Sequence, residues 1–182
     1  MGAYQGRELM QTRQASRILA VMFICATGPY VANSAEAQAT KPGSGSPSAK
    51  QIERGRYLVT VGNCNDCHTA GFAPSDGKVP EKEWLLGSGS LGFRGPWGTT
   101  YASNLRLTMS KMTEDGWLKY AKVFKTRPPM PWFNVNQWSD SDLRAFYQYV
   151  KQLGPVGSLA QEYVPADKEP KPPYVRWPAP LK

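Results

Sequence analysis

"VGNCNDCHTAG", residues 61–71, carries Cys64 and Cys67 and then His68, the only histidine of the 182-residue chain. Three chemistries use a C-x-x-C pair. Structural zinc takes four ligands, usually Cys and His in pairs from two places in the chain. This chain has no second cluster, and Asp66, lying between the cysteines, would strain a tetrahedron. A thiol–disulfide oxidoreductase places the pair at the head of a helix that follows a buried strand. Upstream, "QIERGRYLVTVGN" has helical spacing and no convincing run of strands. A plain structural disulfide leaves the adjacent histidine unexplained. The third chemistry accounts for all three residues. In C-x-x-C-H the two thiols add to the two vinyl groups along one haem edge, and the next residue offers its imidazole to the iron. On this reading one haem c is covalently held by Cys64 and Cys67, with His68 as an axial iron ligand.

The N-terminus agrees with that chemistry, because bacteria attach haem covalently outside the cytoplasm. Arg7, Arg13 and Arg17 precede the apolar run "ILAVMFICA", residues 18–26. The run is far short of the about 20 residues that span a bilayer. Ala37-Gln38-Ala39 then offers a small-residue cleavage site. Residues 1–39 are expected to be a cleavable signal peptide and the mature protein periplasmic; an uncleaved anchor or a frayed tail is the alternative. Cys25 lies within the apolar run and lacks the small residues that precede a lipoprotein cysteine, so it goes with the leader. Residues 40–50, "TKPGSGSPSAK", have the composition of a flexible linker.

The whole chain has a net charge of +8 and a pI near 9.5. Loss of the leader removes three arginines and two glutamates, leaving +7. The basic residues are scattered, with no lysine-arginine run, which argues against nucleic acid. An acidic protein partner fits better, the alternative being a charge that only maintains solubility. Seventeen glycines and sixteen prolines forecast long loops.

Within residues 51–157 three helices are legible. The first begins near Gln51, with Ile52, Tyr57, Leu58 and Val59 around Gly55, and gives way near Gly62. The second covers "TEDGWLKYAKVF", with Thr113 as its cap and Trp117, Ala121 and Phe124 on one face. The third covers "SDSDLRAFYQYVKQLG", capped by Ser139, with Leu143, Phe146, Tyr147, Val150 and Leu153 at helical spacing and Gly154-Pro155 as the stop. Residues 69–100 are expected to hold little regular structure. Residues 158–182, with six prolines, form a tail that is neither helix nor central strand. Whether it packs along the domain or stays disordered is open at this level. One domain and one haem are expected, since no second C-x-x-C-H occurs.

Haem iron takes two axial ligands, and no second histidine remains. Past the leader the methionines are Met109, Met112 and Met130. Met130, in "RPPMPW", is flanked by prolines that stiffen its loop, and a thioether ligand raises the haem potential for electron transfer. Met109 and Met112 lead into a helix and read as packing residues.

The segments "GRYLVTVGNCNDCHTAG", "WGTTYASNL" and "PPMPWFNVNQWSDSDLRAFYQYVKQLGPVG" resemble the class I cytochrome c domains of bacterial exported dehydrogenase systems, notably the haem subunits that accompany alcohol and sugar-acid dehydrogenases. The likeness covers about residues 51–157. It implies an all-α fold of three to five helices around the covalent haem, with long loops. It also implies that terminal helices cross so that Gly55 and Tyr57 meet the Phe146 and Tyr147 face. Trp97, Tyr101 and Asn104 carry over as haem contacts near the propionates, with plain core aromatics as the alternative for Trp97 and Tyr101. Two departures stand out. Those subunits usually carry three haem domains, and "LRLTMSKMTEDGW" replaces a stretch rich in Thr, Pro and Asp. The resulting expectation is a monohaem carrier that moves single electrons between periplasmic redox proteins and transforms no substrate itself. It could serve a dehydrogenase or oxidase as a free carrier or as a subunit peripheral to a membrane complex. The rival is a ligand-binding or catalytic c-type haem protein with an open sixth position.

Overall fold

The computed structural model describes residues 46–178. The expected signal peptide over 1–39, most of the linker and the last four residues lie outside the described residues. The helices are α1 Ala49–Val61, α2 Cys64–His68, α3 Leu105–Ser110, α4 Glu114–Val123, α5 Trp132–Asn136 and α6 Asp140–Leu153. The strands are β1 Gly92–Gly95, β2 Gly98–Tyr101 and β3 Tyr174–Arg176. The domain is mainly helical with long loops.

Local caps set the long helices. Ser48 accepts from the Gln51 amide at 3.3 Å while Gln51 Oε1 accepts from the Ser48 amide at 2.9 Å, a reciprocal box that satisfies two donors. α1 therefore starts at Ala49, so the end of the expected linker is already helical. Thr113 caps α4 and Ser139 caps α6, as the sequence indicates.

α1 packs along α6 at Gly55. A Cβ at Gly55 would lie 2.5 Å from Tyr149 Cβ and clash with the Ala145 carbonyl, so only glycine admits this approach. The partner stripe on α6 is thus Ala145–Tyr149. The expected pairing of Tyr57 with Phe146 and Tyr147 is corrected. Tyr57 is 53% exposed with the Arg54 guanidinium over its ring, while Phe146 packs on Trp117 and Trp138. Tyr147 donates its hydroxyl to the Met112 carbonyl at 2.8 Å. Tyr149 donates to Glu81 Oε1 at 2.7 Å and Arg56 binds Glu81 Oε2 at 2.9 Å, which ties α1 and α6 to the turn at Glu81–Glu83.

The all-α expectation is also corrected: the domain carries a small sheet, in the order β2-β1-β3. β1 and β2 form an antiparallel hairpin closed by Pro96 and Trp97, and β3 runs parallel to β1, with Gly92 opposite Tyr174. The strands are three or four residues long and glycine-rich, too short for a period-two pattern to show. β3 is an edge strand, the place where a proline-rich segment can pair. The tail is accordingly part of the domain at least to Pro178. The buried Arg94 guanidinium donates to the Lys168 carbonyl at 2.9 Å and the Ala166 carbonyl at 3.2 Å.

The core joins Val59, Leu85, Met109, Trp117, Ala121, Leu143, Phe146 and Val150. Buried Arg106 on α3 donates to the Gly154, Leu153 and Lys82 carbonyls, placing a cation on the negative end of α6. Among the described residues no helix is long and apolar enough to cross a membrane.

Candidate functional site

α1 is capped by Gly62, and Asn63, at φ 54°, swings the chain into α2. Cys64, Cys67 and His68 then stand at i, i+3 and i+4 on a single helical turn, which brings them to one face. Both thiols are free and half-buried. Burial pushes the Cys64 thiol up to about 12 and raises Cys67 above its ordinary value, so both are neutral at pH 7.

His68 is buried, and its Nδ1 lies 2.7 Å from the Ser103 carbonyl oxygen. A carbonyl can only accept, so Nδ1 carries the proton and donates. The lone pair is left on Nε2, the arrangement that prepares an imidazole to ligate a metal. Burial lowers the imidazole's pKa against the opposing pull of that hydrogen bond, which keeps the ring neutral. The turn is braced from behind. Thr69 Oγ1 donates to Asn65 Oδ1 at 2.7 Å and accepts from the Leu85 amide at 2.8 Å. The Gly87 amide donates to the His68 carbonyl at 2.8 Å.

Of the methionines, Met109 is 1% exposed in the core and Met112 packs against it. Met130 is half-buried and stands outside that cluster, in the connection between α4 and α5. Thr100 on β2 donates to the Pro128 carbonyl at 3.0 Å, so residues 100–103 fasten both the Met130 loop and the His68 ring.

Trp97, at the tip of the hairpin, has its indole Nε1 buried without a hydrogen-bond partner. Such a donor usually finds an acceptor, and a ligand's anionic oxygen would provide one. Tyr101 is buried in β2. Asn104 is otherwise engaged. Its Oδ1 caps α3 by accepting from Leu107, and its Nδ2 donates to the Val156 and Ser158 carbonyls. The side chain thereby pins the end of the helical domain to the start of the tail. Asn104→Ala is expected to cost about 2–4 kcal/mol, one cap plus two hydrogen bonds to carbonyls of the tail. Urea denaturation checks this; an unchanged midpoint would show that the tethers carry no stability.

Cys64, Cys67 and His68 on their one turn could hold a group with two reactive edge carbons and a metal, and the Trp97 indole has a donor to spare for an acidic oxygen. Among the described residues no three or more His, Cys, Asp or Glu side chains gather as a metal cage.

The chain is 30% identical over 132 residues to one of the subunits of nicotinate dehydrogenase from Pseudomonas putida. It is a partial homologue of a dehydrogenase subunit. The likeness takes in 66% of this chain and 10% of that protein, so the chain spans about a tenth of its relative's length. No family model matches the sequence, and no solved structure matches it.

Several residues of the site escape a reading of the sequence. Ser103 acts through its carbonyl, which every residue type possesses. Thr69 and Asn65 form a pair that is recognisable only after α2 is known to be helical, and Thr100 has no motif around it.

Proposed function

We propose that the chain is a monohaem c-type cytochrome that carries single electrons for a periplasmic dehydrogenase or oxidase. The observation that carries this reading is the C-x-x-C-H run on one helical turn, with His68 Nδ1 anchored on the Ser103 carbonyl. With haem bound, Cys64 and Cys67 would hold it as thioethers, each S–H adding across one vinyl group with no oxidant needed. Bound haem supplies a one-electron iron couple. The chain's own residues do the rest. His68 offers Nε2 to the iron in a fixed orientation, and Met130 offers a thioether from a proline-stiffened loop. Trp97 supplies a buried donor for a propionate. The relative, a dehydrogenase component, supports a place in a redox system of that kind.

The arginine-bearing leader supports export, and the charge supports an acidic redox partner rather than nucleic acid. Residues 116–139 hold Lys119, Lys122, Lys125 and Arg127 and no acidic side chain. Tyr120, Val123 and Phe133 are exposed on the same stretch. An acidic surface with an apolar centre would be steered to this face, and attraction would weaken with salt.

The test is made on the exported, unaltered protein. Haem should survive acid–acetone extraction, and thiol reagents should find no free cysteine at 64 or 67 after denaturation. A weak far-red band should report the thioether–iron bond, and Met130→Ala should abolish it, admit carbon monoxide and lower the potential. Met109→Ala and Met112→Ala should keep the band. Extractable haem, or none, would overturn the reading. Retained haem that lacks the band and binds carbon monoxide in the unaltered protein would replace the carrier by a ligand-binding or catalytic haem protein.

A further inference from the structure

We infer that Tyr163, in the C-terminal segment, is a positioning residue that holds the Met130 loop and the Trp97 turn in register with each other. The inference rests on the proposed role of Met130, and its own observations are independent of it. Val164 pairs with Thr99 in both directions, its carbonyl taking the Thr99 amide at 2.7 Å and its amide donating at 3.0 Å. That bridge lays Tyr163 across Gly98. A Cβ there would meet the Tyr163 hydroxyl at 2.6 Å and its Cε2 at 2.7 Å, and the backbone has φ +99°, so glycine is needed on both counts. The tyrosine hydroxyl donates to the Trp97 carbonyl at 2.6 Å. On its other side, the Arg127 guanidinium sits 4.0 Å from the ring centroid. The other cation–ring contacts among the described residues lie at 5.3 Å or more.

Arg127 is three residues ahead of Met130, in the eight-residue connection from α4 to α5. Residues 125–128 are exposed, so little of that approach is secured by burial. Two side-chain tethers reach it from the sheet and tail, Thr100 on the Pro128 carbonyl and Tyr163 under Arg127. The prolines make the loop stiff, and the tethers give the stiff piece its place. A thioether bonds weakly to iron, so its residence on the metal depends on how firmly its loop is held. Tyr163 thus makes the tail part of the site without touching the reacting atoms.

Three variants separate this role from mere fastening of the tail. Arg127→Gln removes an exposed cation and leaves the fold intact. Tyr163→Phe keeps the ring under Arg127, and Tyr163→Ala removes both contacts. The readouts are cyanide binding to the ferric protein, the pH at which the far-red band is lost, and hydrogen exchange across residues 124–134. Cyanide binding should quicken about threefold in Arg127→Gln and about tenfold in Tyr163→Ala, factors in keeping with an exposed cation–π contact and with that contact plus a hydrogen bond. Tyr163→Phe should quicken it about threefold, because the ring contact remains and only the hydrogen bond to Trp97 is lost. The band should be lost at lower pH in the same order, and exchange in 124–134 should rise in Arg127→Gln. If Tyr163→Ala lowers only the melting temperature while cyanide rates stay unchanged, the tyrosine merely fastens the tail and the inference fails. Exchange reads the tether without reference to the iron. If the unaltered protein shows no band yet Arg127→Gln loosens 124–134, the Met130 assignment falls and the tether stands.

Discussion

Cys64→Ala combined with Cys67→Ala is expected to release the haem that the unaltered protein retains through acid–acetone extraction and denaturing electrophoresis. The proposed thioethers are covalent and indifferent to unfolding. With both sulfurs gone, the motif's remaining hold is one imidazole–iron bond, which acid breaks by protonating His68. The two cysteines stand three apart on one turn, so losing both removes both edge attachments together. Single replacements should each keep one thioether and stay coloured on the gel. The unloaded chain gives an independent check. Burial pushes the Cys64 thiol from an ordinary 9.0 up to about 12, and the reactive form is the thiolate. Alkylation of Cys64 in the folded unloaded chain should therefore be slow at pH 8 and accelerate toward the alkaline limit. Rapid alkylation at pH 8 would mean that the surroundings of Cys64 do not hold its thiol neutral.

The parts of this domain that were legible in the sequence are those fixed by neighbours along the chain. Ser139, Thr113 and the periodic apolar faces behind them announce α6 and α4, because a cap and its amide lie three residues apart. The cysteine pair and His68 share one turn for the same reason. What stayed hidden depends on residues far apart. Gly92 pairs with Tyr174 across more than eighty positions, and neither carries a strand signal alone. Tyr57 and Tyr149 both flank the close approach at Gly55, yet only packing decides that Tyr149 goes inside and Tyr57 out. Asn104 shows the limit from another side. Asparagine serves equally as a helix cap, a tether for carbonyls or a ligand contact, and the structure engages its amide in the first two. An arginine's charge by itself favours the surface, whereas the carbonyl end of α6 takes Arg106 inside.

Gly55→Val is expected to lower stability by about 3 kcal/mol or more, the upper end of overpacking costs. Local preference points the other way, since valine is a better helix former than glycine by a few tenths of a kcal/mol. The contact decides. The new Cβ would meet the Ala145 carbonyl carbon at 2.8 Å and Tyr149 Cβ at 2.5 Å, and backbone atoms cannot rotate aside as a long side chain can. α1 would have to withdraw from α6, which stretches the Arg54–Asp142 ion pair and the Arg56–Glu81–Tyr149 chain of hydrogen bonds. The movement would not stop there. α2 follows α1 after Gly62 and Asn63, so a displaced α1 draws His68 away from the Ser103 carbonyl that orients its ring. Urea denaturation measures the loss, and Tyr57→Ala, at an exposed position on the same helix, supplies the control, with an expected change within about 0.5 kcal/mol. Equal midpoints for the two variants would mean that the helices do not meet at Gly55. A large loss in Gly55→Val alone, accompanied by a changed haem absorption spectrum in the folded protein, would show the crossing of α1 and α6 holding the ligand-bearing turn in place.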